Sequence, residues 1–265
     1  MTGLPDTFLA DSVSKLGPDC VGRVVVTGSH GGIYAAYLAC KADVRAAIFH
    51  DAGVGLDRAG IGGLDWLAAQ GMAAAAVDHT SAAIGQATQV LGRGIISHAN
   101  APAAAHGVTA GMPCRAAGEL LQAAEMPMGS CPEVREGRDE ITPPQATRRL
   151  ILVDSASLVV PDDAGHVIVT GSHGALFGSD PANALKADGY LALFNDAGGT
   201  ATSRLPVLQD RSIAAATVAA SSARIGEARS TWQDGIISAL NDTAAASGAR
   251  AGMPARDLIA LALTQ

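Results

Sequence analysis

The chain has 265 residues, of which 48% are hydrophobic, 16% charged and 3% aromatic, with a formal net charge of −7. That composition excludes a disordered chain, which needs low hydrophobicity and high charge, and the basic face that nucleic-acid binding requires. Four cysteines in 265 residues do not make a disulfide scaffold, and no apolar run approaches the ~18 residues of a membrane span.

In chain order, Thr7–Ala10 reads as a strand entering an Asp-Ser pair, and Arg23–Thr27 as a β-branched run ending at glycine. Runs of that kind are typical of buried parallel strands. A helix is expected over Ile33–Lys41, a strand over Ala46–Phe49, a helix starting at Leu64–Ala69 and a strand over Ala73–Val77. Gly94 is read as a helix start, and Met112-Pro113 opens a last helix, a usual place for proline. The pattern then recurs: strand Leu150–Val153, strand His166–Thr170, helix Leu176–Lys186 shortened or kinked by Pro181, strand Leu191–Phe194 and strand Ala214–Val218. Gly235 and Met253-Pro254 take the places of Gly94 and Met112-Pro113. Alternating strands and helices with short connections imply an α/β fold with mainly parallel sheets covered by helices.

The recurrence is also literal. Residues 11–32 align without a gap on 154–175, with 13 of 22 positions identical. Further on, AIFHDAG (47–53) meets ALFNDAG (192–198), GIISHAN (94–100) meets GIISALN (235–241), and AGMPCR (110–115) meets AGMPAR (251–256). A unit this long is no solenoid repeat. The expectation is two homologous lobes, 1–122 and 150–265, related by a pseudo-twofold axis. Residues 123–149, rich in proline and charge, would connect them.

In open parallel sheets ligands bind beyond the carboxyl ends of the strands, and the repeated polar residues fall there: Ser12, Ser29, His30 and Asp51, then Ser155, Ser172, His173 and Asp196. The TGSHG turns place Gly28, Gly31 and Gly32, and Gly171 and Gly174, where free backbone N–H groups and a helix dipole favour an anion or oxyanion. These glycines are the expected substrate-contact backbone. Thr27-Gly28-Ser29-His30-Gly31-Gly32-Ile33-Tyr34 resembles the short-chain dehydrogenase pattern TGxxxGxG. Tyr34 replaces the final glycine, however, and Ala175 and Phe177 stand at the last two glycine positions of the second copy. Bulk there blocks a dinucleotide, so no cofactor is expected. The layout VVVTGSHG followed by AIFHDAG is similar to that of caspase-like peptidases, with Gly53 and Gly198 where the cysteine nucleophile would stand. It serves as an analogy of site geometry only.

The chemistry these residues suggest is acyl transfer to water. His30 and His173 would act as bases, Asp51 and Asp196 as orienting carboxylates, and Ser12, Ser29, Ser155 and Ser172 as nucleophiles or ligand contacts. Asp11, Asp154, Asn100 and Asn241 read equally well as helix caps. The first copy also carries His50, His79, His98 and His106, where the second has Asn195, Ala220, Ala239 and Ser247. With His30, Asp51 and Asp78 these raise the question of a transition-metal site, but no ligand spacing supports one. Surface or capping histidines are the simpler reading, and no metal is assigned. Arg224, beside a glycine-rich turn, suits a carboxylate or phosphate clamp.

The expectation is a small-molecule hydrolase of an amide or related acyl bond, acting on a small polar or anionic substrate. Its alternatives are a non-catalytic binding module for a small anion and a metal-dependent hydrolase or lyase built on the His-rich first copy. Neither nucleic acid nor membrane is an expected partner. Met1–Ala10 lacks the features of a secretory signal, which with the few cysteines suggests the cytoplasm, and the repeat symmetry suggests a homo-oligomer.

Overall fold

A computed structural model describes residues 6–265; Met1–Pro5, the first half of the Met1–Ala10 segment that lacks the features of a secretory signal, lie outside the described residues. The chain divides into two compact units. One comprises the described part of Met1–Val54 with Arg58–Arg135 and Phe177–Ser179. The other comprises Gly55–Asp57, Glu136–Leu176 and Asp180–Gln265.

The first unit is built on a five-stranded sheet with strands in sequential order: β1 (Thr7–Ala10), β2 (Val24–His30), β3 (Ala46–His50), β4 (Ala73–Val77) and β5 (Ile96–Ala99). The first four are parallel and β5 runs antiparallel to β4. Both faces are covered. Val25, Ala47, Phe49, Ala74 and Ala76 pack under α1 (Ile33–Lys41) and α2 (Gly62–Ala69). Val24, Val26, Ala46, Ile48, Ala75 and Val77 pack against α3 (Ala87–Arg93) and, beyond the short α4 (Ala101–Ala105), α5 (Cys114–Leu121). The four alanines of β4 are each 3% exposed or less. Alanine is a poor strand former in isolation, but burial on both faces rewards a side chain small enough for helices to approach from each side.

The second unit has a six-stranded sheet. Its strands are β6 (Arg138–Ile141), β7 (Leu150–Val153), β8 (Val167–His173), β9 (Leu191–Asn195), β10 (Ala214–Val218) and β11 (Ile237–Leu240), again in sequential order. Strands β7 to β10 are parallel, and both edges, β6 and β11, are antiparallel. Its helices are α6 (Arg204–Asp210), α7 (Ala228–Gln233), α8 (Asp242–Ala246) and α9 (Ala255–Thr264). The fold is therefore α/β with mainly parallel sheets, as the alternation of elements implied.

Three elements differ from expectation, each for a local reason. Leu176–Lys186 is not an α-helix but two 3-10 turns, Phe177–Ser179 and Pro181–Asn183. Gly178 (φ 62°) and Ser179 (φ 54°) are left-handed, and Asp180 caps the second turn with Pro181 inside it. Gly94 and Gly235 do not start helices; the GIIS segments lead into the edge strands β5 and β11. A Cβ on Gly94 would stand 2.9 Å from Val77 Cγ1 and closer still to the Val90 carbonyl, so only glycine lets the chain turn there. Finally, the 123–149 segment is more than a connection, because it contains β6. That strand is anchored by Arg138, which donates to the fully buried Asp163 at 2.8 and 3.0 Å. The first copy has Cys20 at the position aligned with Asp163, and among the described residues no strand lies outside β1.

Candidate functional site

In the first unit the pairings Ala10↔Thr27, His30↔His50 and His50↔Val77 align the strand ends. The residues that follow, Asp11-Ser12, Asp51 and Asp78-His79, therefore gather with Ser29-His30 on one edge of the sheet. The second unit presents Asp154-Ser155, Ser172-His173 and Asp196 in the same way.

Most of these side chains already have structural work. Ser29 Oγ accepts from Val13 N–H at 3.0 Å and Ser172 Oγ from Ala156 N–H at 2.9 Å. Ser12 and Ser155 cap the 3-10 turns Val13–Lys15 and Ala156–Leu158, accepting from Ser14 and Ser157 N–H at 3.3 and 3.2 Å. Asp11 and Asp154 receive the N–H of Ala87 and Ala228 at 2.8 and 2.9 Å, tying the first strand to α3 and to α7. Asp51 and Asp196 are buried, and each bridges two loops. Asp51 Oδ1 accepts from Gly53 and His79 N–H at 2.9 and 3.0 Å, and Asp196 Oδ1 from Gly198 and Ala220 N–H at 3.1 and 2.9 Å. In the first unit no hydrogen bond among the described residues joins Ser12, Ser29, His30 and Asp51 to one another, so a Ser-His-Asp relay is not assembled there.

The glycines also serve the scaffold. A Cβ on Gly28 would meet Gln86 N at 2.5 Å and Gly85 C at 2.6 Å, and one on Gly171 would meet Asp154 O at 2.7 Å and the Gly226–Glu227 backbone. Gly85 N–H reaches Gly28 O at 2.8 Å and Gly226 N–H reaches Gly171 O at 2.7 Å, so both glycines admit a neighbouring loop. Gly31 and Gly174 N–H bond the carbonyls of His50 and Asn195 at 3.0 and 2.8 Å. Arg224 is engaged by Asp57 within its own unit, Nε and Nη2 lying 2.8 and 2.7 Å from Oδ2.

His30 is different. Its Nδ1 accepts the N–H of Gly32 at 3.1 Å, so in the neutral ring the proton resides on Nε2. Nε2 makes no hydrogen bond among the described residues. Gly32 is the N-cap of α1 and supplies no side-chain cap. Burial, reinforced by the neighbouring His50, lowers the His30 pKa from 6.5 to about 4. His30 is therefore neutral near pH 7, with Nδ1 engaged by Gly32 and the proton on Nε2. His173 accepts similarly from Ala175 N–H at 3.3 Å, but there Ser203 Oγ has taken the Leu176 N–H at 2.8 Å and 3-10 turns replace the helix.

A pH dependence follows. Between pH 6.5 and 4 the unfolded chain binds a proton that folded His30 refuses, so stability is full above 6.5 and declines as pH falls towards 4. His30 keeps some solvent-exposed surface, and screening trims its contribution to about 2 kcal/mol. Urea denaturation at pH 7 and 4.5 should show His30→Gln losing less stability on acidification than the wild type. Equal losses would contradict the assignment.

The remaining histidines of the first copy do not converge. His50 is fully buried, donating from Nε2 to Ala82 O at 3.0 Å and accepting Ala52 N–H on Nδ1 at 3.1 Å. Asn195 does the same work in the second unit, donating to Ala223 O at 3.1 Å and accepting Ala197 N–H at 2.9 Å. His50 is thus a loop tie, and burial lowers its pKa. His98 bonds Ser97 on the edge strand, and His106 ends α4. His79 stands apart: with Asp51 and Asp78 it brings three ligand-capable atoms within 4.8 Å of one another. A hydrogen bond from the Thr80 hydroxyl holds the Asp78 carboxyl below the usual carboxylate range. The loop leaving Asp51 is strained as well. Val54 is left-handed (φ 62°) where the second copy has Gly199, a conformation that costs a β-branched residue about 1–3 kcal/mol.

A small apolar cavity of about 10 Å³, lined by Tyr190, Leu191, Ala214 and Leu258 among others, lies at the amino-terminal end of β9 and β10, away from the strand ends just described. It holds at most about one water. No helix of the described residues is long and apolar enough to cross a membrane. The chain matches no protein-family model, no curated protein and no solved structure.

Proposed function

We propose that the protein is a small-molecule enzyme whose site lies at the carboxyl edge of the first sheet, hydrolysing an amide or related acyl bond of a small polar substrate. The observation that carries this reading is His30. It is held neutral, its Nδ1 is fixed by the N–H of Gly32, the N-cap of α1, and its Nε2–H makes no hydrogen bond among the described residues. A donor so held suits the oxygen of a carbonyl as it gains negative charge. In the reaction, water oxygen bonds to the carbonyl carbon, the C–N bond breaks, and the water proton ends on the leaving nitrogen. The first copy is favoured over the second because beside His173 the Leu176 N–H is taken by Ser203 Oγ and 3-10 turns replace the helix.

The test is turnover of a panel of small carboxamides, cyclic amides and esters, followed by mass spectrometry. His30→Ala should lower kcat about 100-fold or more with an unchanged circular-dichroism spectrum. Full activity in that variant would overturn the reading. That all four serine hydroxyls accept backbone N–H groups favours one second reading, a non-catalytic site for a small anion. Stabilisation by acetate or phosphate in thermal-shift experiments, without any turned-over substrate, would support that alternative. The reading also includes a cytoplasmic location, supported by four free cysteines, and a homo-oligomer, which light scattering tests.

A further inference from the structure

We propose that Asp51, Asp78 and His79 form a binding site for a divalent transition-metal cation of the Zn²⁺ class. Two independent observations carry it. The first is the donor geometry. His79 Nδ1 is buried without a hydrogen-bond partner, 3.3 Å from Asp51 Oδ1 and 3.9 Å from Asp78 Oδ1. Ligand atoms bound to one cation at about 2.0–2.2 Å stand roughly 3–3.5 Å apart. Both carboxylates thus stand within about that spacing of the imidazole nitrogen, and a small rotation of each brings its second oxygen to a shared ion. Both carboxylates are also oriented by the chain itself. Asp51 Oδ1 holds Gly53 and His79 N–H, and Asp78 Oδ1 holds Thr80 N–H and Oγ1–H at 2.7 and 2.5 Å. Each therefore has its second oxygen for an ion, with its direction fixed by the hydrogen bonds on the first.

The second observation is what the scaffold does without these side chains. In the second unit Asp196 accepts from the Ala220 backbone as Asp51 does from the His79 backbone, and the positions aligned with Asp78 and His79 are Ala219 and Ala220. The loop thus closes equally well on Ala-Ala. Asp78 and His79 are additions to a turn that does not need them, and one leaves a buried nitrogen unsatisfied. One imidazole and two carboxylates form a nitrogen–oxygen set that suits zinc or manganese better than calcium or magnesium. Coordination positions left over would be filled by water or substrate.

If hydrolysis is the reaction, a cation on this edge supplies activated water where the serines are engaged as caps; that clause alone rests on the proposed function. The binding test does not, because it uses no substrate. Zn²⁺ titrated calorimetrically into the chelator-treated protein should show one site per chain of micromolar or tighter affinity. The double variant Asp78→Ala/His79→Ala copies the second unit's own sequence and so keeps the fold. In it, affinity should fall at least 100-fold and the Zn²⁺-induced rise in melting temperature should vanish. Co²⁺ bound to the wild type should give visible d–d absorption bands that the variant lacks. Equal Zn²⁺ binding by wild type and variant, or none by either, overturns the proposal. Calcium binding as tight as zinc, insensitive to His79→Ala alone, would overturn the transition-metal assignment. Zinc binding without turnover would leave the site standing and count against hydrolysis.

Discussion

Replacing Asn241 with alanine should destabilise the fold by about 3–5 kcal/mol, among the largest effects of any single polar substitution in this chain. The side chain is buried and fully committed. Its oxygen accepts the N–H groups of Ala215 and Ala244, both at 3.0 Å, and its amide donates to Leu205 O at 3.3 Å and Ile213 O at 2.9 Å. One residue thereby joins α6, β10 and α8. Alanine would strand two donors and two acceptors where water has poor access, and each stranded group costs about 1–3 kcal/mol before relaxation. Aspartate should do no better than alanine, since it keeps the acceptors but turns an oxygen towards two carbonyls. Asn100 makes the equivalent four bonds, to Ala74, Ala103, Leu64 and Met72, so Asn100→Ala should behave alike. Urea denaturation with an unchanged m-value measures both. A loss under about 1 kcal/mol in either would show that water or rearrangement replaces these bonds.

Arg204→Ala should cost about 3 kcal/mol. The guanidinium is 4% exposed, and burial lowers its pKa to about 10. Among the described residues it has no carboxylate partner. Instead it donates from Nε to Ala175 O at 3.1 Å and from Nη1 to Ala184 O, and it lies 5.0 Å from the centre of the Phe194 ring. In the first unit the corresponding stretch is the helix α1, whose carbonyls are satisfied internally. In the second, the 3-10 turns leave carbonyls without such partners, and Arg204 reaches in to bond them. Methionine in its place restores volume without donors, so Arg204→Met should recover less than half of the loss. Hydrogen exchange should accelerate over residues 176–187 in both variants. Full recovery by methionine would show that packing, not hydrogen bonding, is what Arg204 contributes.

Much of the architecture was legible in the residues. The β-branched runs ending at TGSH became β2 and β8, and Ile33–Lys41 became α1 with the bounds expected. Even the alanine strand β4 could be read from its place in the repeat, against its own propensity. Leu176–Lys186 failed as a helix because Gly178 and Pro181 act together with a cap at Asp180, and no pattern of apolar spacing contains that combination. The role of the polar residues was less legible than their position. Sequence placed Ser29, His30 and Asp51 on one sheet edge but could not say which backbone groups would claim them.

Composition returns here with a structural meaning. The 54 alanines and 31 glycines fixed in advance that strands and helices pack closely, and the repeated motifs fixed where the polar residues gather. Both follow from local spacing and side-chain size. Tertiary structure alone decided that Gly28 admits a loop, that His50 and Asn195 do one job, and that His30 keeps its proton on Nε2. It also set His79 beside two aspartates. Those outcomes depend on hydrogen bonds between segments tens of residues apart, and a donor's partner is settled only when the chain has folded around it.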